Sequence, residues 1–263
     1  MHKRIKQAIQ LEKLRHTLSV RGAIEDFIAS YKSQLPTIQN INSGSFWDTL
    51  NETFETRKDI NPMAWNRIQI VKSWILEFYK NKKKQISLLN IGFGSGNLEE
   101  SMEEGLGKID WVGIDLSSKS VTKAKIKYPG RKFIIGNFLS DKVLGKHFDI
   151  VIALEVLEHI SPKYTFKFLS KVNGLLNNNG IFILSVPLNE NLSEMLEKGI
   201  NPNAHVRIYT PEVLGSELSV TGFKKIKSRM LFAFKTKYFL KTLIANILST
   251  HKPNQIIILC KKT

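Results

Sequence analysis

One feature constrains this chain more than any other. From residue 86 onward, short apolar runs alternate with segments that carry helical spacing. The runs are residues 86 to 91, "WVGID" (111 to 115), "KFIIG" (132 to 136), "FDIVIAL" (148 to 154) and "IFILSVP" (181 to 187). Between them lie "NLEESMEEGL", "SSKSVTKAKIKY" and "PKYTFKFLSKVNGLL". Near-continuous apolar strands separated by helices imply an α/β fold, a doubly wound, mostly parallel sheet covered on both faces. The tail differs: "GFKKIKS" and "NQIIILCKK" read as two closing strands, with a helical insertion at about 231–252.

Upstream the pattern is helical. Ile5, Ile9, Leu14 and Leu18 recur at helical spacing among lysines, and "RGAIEDFIASYKSQL" predicts a second helix. "NINSGSF" (40 to 46) reads as a loop, and "MAWNRIQIVKSWILEFYK" as a further helix. The run "KNKKKQ" (80 to 85) marks the boundary between an N-terminal helical cap, 1–84, and a sheet domain, 85–263.

Behind the first apolar run stands "LLNIGFGSGNLEE", with glycine at 92, 94 and 96. Strand interiors avoid glycine, so three in five positions point to a turn where something approaches the backbone closely. In a doubly wound sheet that turn is where ligands bind. A Walker loop would need Lys and then Ser or Thr after its last glycine, and neither is present. The G-x-G-x-x-G dinucleotide pattern would put Asn97 where its third glycine belongs. Asp115 closes the second run, where a carboxylate can accept both hydroxyls of a ribose. The expected ligand is therefore an adenosine-bearing one other than NAD. Asn97 and Glu100 have the spacing of a capping box, which predicts a helix starting at Asn97.

As an ordered set, these segments resemble the class I S-adenosylmethionine-dependent methyltransferases, over roughly residues 86 to 228. "LLNIGFGSGN" is similar to the family's first motif and "VGIDLS", with Asp115 and Leu116, to its second. "GNFLSD" stands at the third, "FDIVIALEVLEHI" at the fourth, and "VNGLLNNNGIFILSVP" at the strand-five motif. The resemblance implies a Rossmann-like sheet of seven strands whose last hairpin is antiparallel. It implies S-adenosylmethionine as cofactor, bound by Asn90, Gly92, Gly94, Gly96, Asp115, Leu116, Asn137, Phe138 and Leu154. The chain departs from the family at Asn90, where an acid normally holds the cofactor's ammonium end. Glu155 is one alternative source of that charge. A cofactor-binding regulatory subunit without turnover is a reading that this departure raises.

For transfer to a hydroxyl, "EVLEHI" supplies the candidate catalytic groups His159 and Glu155 at the end of the fourth run. If a helix starts there, Glu155, Glu158 and His159 share one face. The imidazole then serves as a base, or the group holds a divalent cation together with His205 from "NPNAHVRIYTPEVL". That four-residue set resembles the one in metal-dependent 2′-O-methyltransferases of small-RNA 3′ ends. A Glu-x-x-Glu-His run is also similar to that of the ubiquinone-pathway O-methyltransferases. The expected function is O-methylation of a small-molecule or lipid-linked acceptor, with RNA as the alternative partner.

Thirty-nine Lys and Arg against 23 Asp and Glu leave a formal charge of +16, which draws polyanions or anionic headgroups. Lys119, Lys123 and Lys127, like Lys163, Lys167 and Lys171, follow helical spacing and read as solvated faces. In "RMLFAFKTKYFLKTLIANIL" an apolar stripe from Phe239 to Leu248 is interleaved with Lys237 and Lys241. It reads first as a lid over the site, secondly as a peripheral membrane contact, with a dimer face as a further alternative. The single cysteine, Cys260, and the lack of any long apolar segment fit a cytoplasmic protein with no transmembrane span.

Overall fold

A computed structural model describes residues 42–263 apart from 56–60, 83–84, 104–108, 141–144, 199–203 and 250. The two helices expected between residues 1 and 35 lie outside the described residues. Helices α1 (Gly44–Glu55) and α2 (Pro62–Lys82) lead into strand β1 (Ile86–Ile91). There follow α3 (Asn97–Ser101), β2 (Ile109–Asp115), α4 (Ser118–Lys127), β3 (Lys132–Ile135) and β4 (Phe148–Leu154). The chain continues through α5 (Pro162–Leu175), β5 (Leu176–Pro187), α6 (Leu192–Glu197) and α7 (Pro211–Val220). It closes with β6 (Phe223–Leu231), α8 (Tyr238–Leu248) and β7 (Gln255–Lys262).

The strands form one seven-stranded sheet in the order β3-β2-β1-β4-β5-β7-β6. The first five pair in parallel, while β7 runs antiparallel to both β5 and β6. The expected doubly wound sheet with an antiparallel last hairpin is therefore the fold of this chain. Strand order reverses between β1 and β4, and that opening at the carboxyl ends is where such sheets bind ligands.

Successive strand residues serve opposite faces, so each apolar run feeds two cores. Leu88, Ile150 and Ile152 meet Ile68, Val71, Trp74 and Ile75 of α2. Leu89, Val151 and Ala153 meet Phe168, Leu169 and Val172 of α5 on the other side. Thus α2, upstream of the boundary expected at 80–85, shares a core with β1. Edge strand β6 keeps Lys224 and Lys225 in solvent, charges that discourage another chain from pairing with it.

Several local expectations are corrected. The loop expected over 40–46 gives way to α1 at Gly44, because the Ser43 hydroxyl accepts from the Phe46 amide and starts the helix. The capping box does not form. Gly96 is the N-cap of α3, at φ 78°, and no side chain caps the helix. Asn97 is instead its first residue, and α3 ends after five residues. Strand β5 begins at Leu176 rather than Ile181, and the pairing with β4 shifts register between Phe148 and Ile150.

Candidate active site

A cavity of about 930 Å³ opens at the carboxyl ends of β1, β2 and β4. Its inner half is built by the glycine turn. Gly92, at φ 65°, lies so close to the segment that follows β4 that an added Cβ would sit 2.8 Å from Val156 Cγ2. Gly94 has a positive φ of 56° but open space above it, room on the side of the cavity where a ligand can lie against the backbone. The Gly94 amide donates to Asp115 Oδ2 (2.9 Å), and the Ser117 amide donates to Asp115 Oδ1 (2.8 Å). Burial pushes the Asp115 carboxyl up, and these amides draw it back.

Of the expected cofactor residues, Asn90, Gly92, Gly94, Asp115, Leu116 and Leu154 line the cavity, as do Asn137 and Phe138. Gly96 does not. It turns the chain into α3 and faces the Tyr128 ring. Phe138 packs against Phe168 at 5.0 Å between ring centroids, so its position is set by the core.

The outer half holds the candidate acceptor chemistry. Here the expectation of one helical face is corrected. Glu155 adopts φ 55°, a left-handed conformation that strains a non-glycine residue, and the chain then makes only a short 3₁₀ turn, Leu157–His159. The Glu155 carboxylate accepts from Ser185 Oγ (2.7 Å) and pairs with Arg67 Nη1 (3.4 Å). The backbone turn thus parts Glu155 from the other three. Glu158, His159 and His205 converge, with one ligand atom of each within 4.8 Å of the others.

The hydrogen bonds of this trio fix its tautomers. His159 Nδ1 lies 3.1 Å from the Ala204 carbonyl, which can only accept, so the proton is on Nδ1 and Nε2 is bare. His205 Nδ1 donates to the Glu190 carboxylate at 2.8 Å. Glu158 is fully buried, and neither of its oxygens accepts a hydrogen bond among the described residues. Burial, then the nearby charge of Glu155, hold its carboxyl well above the usual range. Burial, with His205 beside it, drives the His159 imidazole down to about 3. An imidazole that hard to protonate is a poor general base near neutrality, but its free lone pair is what a metal requires. An orphaned buried carboxylate beside two imidazoles fits a divalent cation, and Glu190 and the Ala204 carbonyl orient the rings as outer partners of metal sites do.

Sequence reasoning missed the roof. Asp48 of α1 accepts from Ser117 Oγ (2.6 Å), Ser118 Oγ (2.9 Å) and the Lys119 amide (3.1 Å), which fixes α1 to the start of α4. Trp47 then lies edge-on to His159 at 4.8 Å, and the Asn42 amide donates to the His159 carbonyl (3.0 Å). The lid expected from the insertion is corrected accordingly: no residue of α8 lines the cavity, and α1 covers it. Beneath the site, buried Arg207 bonds Glu217 and Thr165, while the Tyr209 hydroxyl donates to Glu217 Oε2 (3.2 Å). This network anchors the segment that carries His205. Glu217→Ala strands the Arg207 charge and is expected to cost about 3–5 kcal/mol, read from urea unfolding.

The methyltransferase-domain family matches residues 63–228, more than half of the chain. The chain belongs to that family, within the class I S-adenosylmethionine-dependent methyltransferases. It is 32% identical over 158 residues to the ubiquinone biosynthesis O-methyltransferase of Pelagibacter ubique (strain HTCC1062), covering 56% of this chain and 61% of that protein. The matched stretch thus spans about three-fifths of the curated relative. The fold is similar to that of magnesium protoporphyrin IX methyltransferase from Synechocystis PCC 6803 with bound S-adenosylhomocysteine. There the TM-score is 0.58 at 19% identity, over 79% of this chain and 87% of that one. It is also similar to 1,6-didemethyltoxoflavin-N1-methyltransferase from Burkholderia thailandensis, with a TM-score of 0.57 at 15% identity over 92% and 91% of the two chains.

Proposed function

We propose that this chain transfers methyl from S-adenosylmethionine to a hydroxyl oxygen on a small or lipid-linked acceptor. The observation that carries the reading is the convergence of His159 and His205, which line the cavity, with buried Glu158, whose two oxygens accept no hydrogen bond among the described residues. Asp115 and the glycine turn bind the cofactor, and Leu154 and Phe138 flank it. Trp47 and Leu50 cover the acceptor and exclude water. Transfer forms the acceptor O–CH₃ bond as the S–CH₃ bond breaks, leaving S-adenosylhomocysteine as the neutral thioether, and the hydroxyl proton passes to solvent water. The three side chains would hold a divalent cation, which supplies a Lewis acid that makes a neighbouring hydroxyl more acidic. Holding the acceptor in line with the sulfonium methyl is the remaining task, and Arg67 and Glu155 border the path.

A lipid-linked acceptor is supported by α8. Phe239, Leu240, Leu243, Ile244, Ile247 and Leu248 are between 43% and 69% exposed, an apolar face that soluble proteins seldom leave bare. Lys235, Lys237, Lys241 and Lys252 flank or interrupt it in sequence, and the sequence has no Asp or Glu after Glu217. Such a face fits an anionic membrane surface, reached from the cytoplasm. The Tyr238 hydroxyl accepts from Asn66, the neighbour of Arg67, so α8 sits beside the cavity rim. No described helix is long and apolar enough to cross a membrane.

The test uses labelled S-adenosylmethionine with a polyprenyl-linked phenol in anionic vesicles, and with the same headgroup free in solution. Transfer is expected to both, to need added manganese, and to be faster from vesicles. Ile247→Asp should erase the vesicle advantage alone. Transfer to single-stranded RNA only, lost steeply with salt, would replace the reading by RNA 2′-O-methylation. Equal rates with and without manganese or a chelator would remove the cation.

A further inference from the structure

Asn90 stands where the family carries an acid, yet the charge has not left the site. Glu99, in the first turn of α3, is fully buried directly behind it. Its Oε1 accepts from Asn90 Nδ2 (2.7 Å) and from Trp111 Nε1 (3.2 Å). Its Oε2 accepts nothing among the described residues. A buried carboxyl with one orphaned oxygen is costly and calls for a reason. Two cationic groups pack nearby among the described residues, and Glu100 follows it on the same helix. Arg131 Nη1 donates to the Glu99 carbonyl (2.9 Å) and its guanidinium lies over Trp111, while Lys72 of α2 bonds the Ser101 carbonyl.

A carboxylate can only accept, so it draws the Nδ2 end of the Asn90 amide to itself. The Oδ1 end is turned away from Glu99, and Asn90 lines the cavity. Asp115 and Phe138 take the ribose and adenine on the β2 and β3 side of the opening. The amino-acid end of the cofactor therefore falls on the β1 and β4 side, at Asn90. We propose that Glu99 is a positioning residue for the cofactor's ammonium group, fixing and polarising Asn90 so that a neutral amide does the work of an acid. The inference rests on S-adenosylmethionine being the cofactor.

Burial lifts the Glu99 carboxyl to about 7, against the pull of Asn90, Arg131 and Trp111. Its charge then appears as pH rises through neutrality, and ammonium binding should strengthen in the same direction. The experiment compares, by calorimetry, S-adenosylhomocysteine with 5′-methylthioadenosine, which lacks the amino-acid end. Glu99→Gln is expected to weaken S-adenosylhomocysteine by about tenfold or more and 5′-methylthioadenosine by less than about threefold. Asn90→Asp combined with Glu99→Gln returns the charge to position 90 and should restore the loss. In the unmodified protein, affinity for S-adenosylhomocysteine alone should rise between about pH 6 and 8, a readout that does not depend on any variant folding. Equal losses for both ligands, together with pH-independent binding, would reduce Glu99 to a structural role. If neither ligand binds the unmodified protein, the cofactor reading itself falls.

Discussion

Asp115→Ala is expected to abolish measurable binding of S-adenosylhomocysteine while the chain still unfolds cooperatively. The carboxylate performs two tasks at once. It closes the glycine turn through the Gly94 amide and the start of α4 through the Ser117 amide. In the proposed function it also presents oxygen lone pairs to the two ribose hydroxyls. Charge-assisted hydrogen bonds are each worth about 1.5–3 kcal/mol, so losing two weakens binding by at least on the order of 100-fold. Asp115→Asn is the informative partner. It keeps one acceptor for the backbone and loses the charge, so an intermediate affinity is expected. Calorimetric titration reads both, and unchanged affinity in the alanine variant would remove Asp115 from the site.

The second large effect separates chemistry from binding. His159→Ala should lower turnover by on the order of 100-fold or more while cofactor affinity moves by less than about twofold. The ring touches Trp47, the Ala204 carbonyl and the Glu158–His205 pair, none of which belongs to the glycine turn. His205→Ala should show the same split, because its ring completes the same trio. Single-turnover rates and S-adenosylhomocysteine titrations on the same preparations make the comparison. Near-normal rates in both variants would demote the trio to packing.

Much of the frame was legible because it depends on local chemistry. An apolar run, a glycine turn and an acid at a strand end announce themselves within a few residues. The hairpin of β6 and β7 was legible for the same reason. What escaped were groups defined only through space. Glu190 orients His205 from a loop that shows no pattern, and Trp47 reaches His159 from a helix read partly as a loop. The capping-box spacing puts the helix cap at Asn97 rather than Gly96, and nothing in that spacing shows that the Glu99 side chain points inward to Asn90. Helical spacing groups Glu155 with Glu158, whereas a left-handed residue breaks that spacing at the strand end.

One small residue ties the two halves of the cavity together. The Ser117 amide bonds Asp115, beside the glycine turn, while its hydroxyl bonds Asp48, which holds α1 over the cavity. Anyone wishing to retarget this protein by redesigning α1 is therefore not working on an independent part. A change that loosens the grip of Asp48 reaches the glycine turn and Asp115 through a single serine. Selectivity and cofactor affinity would have to be tuned as one quantity.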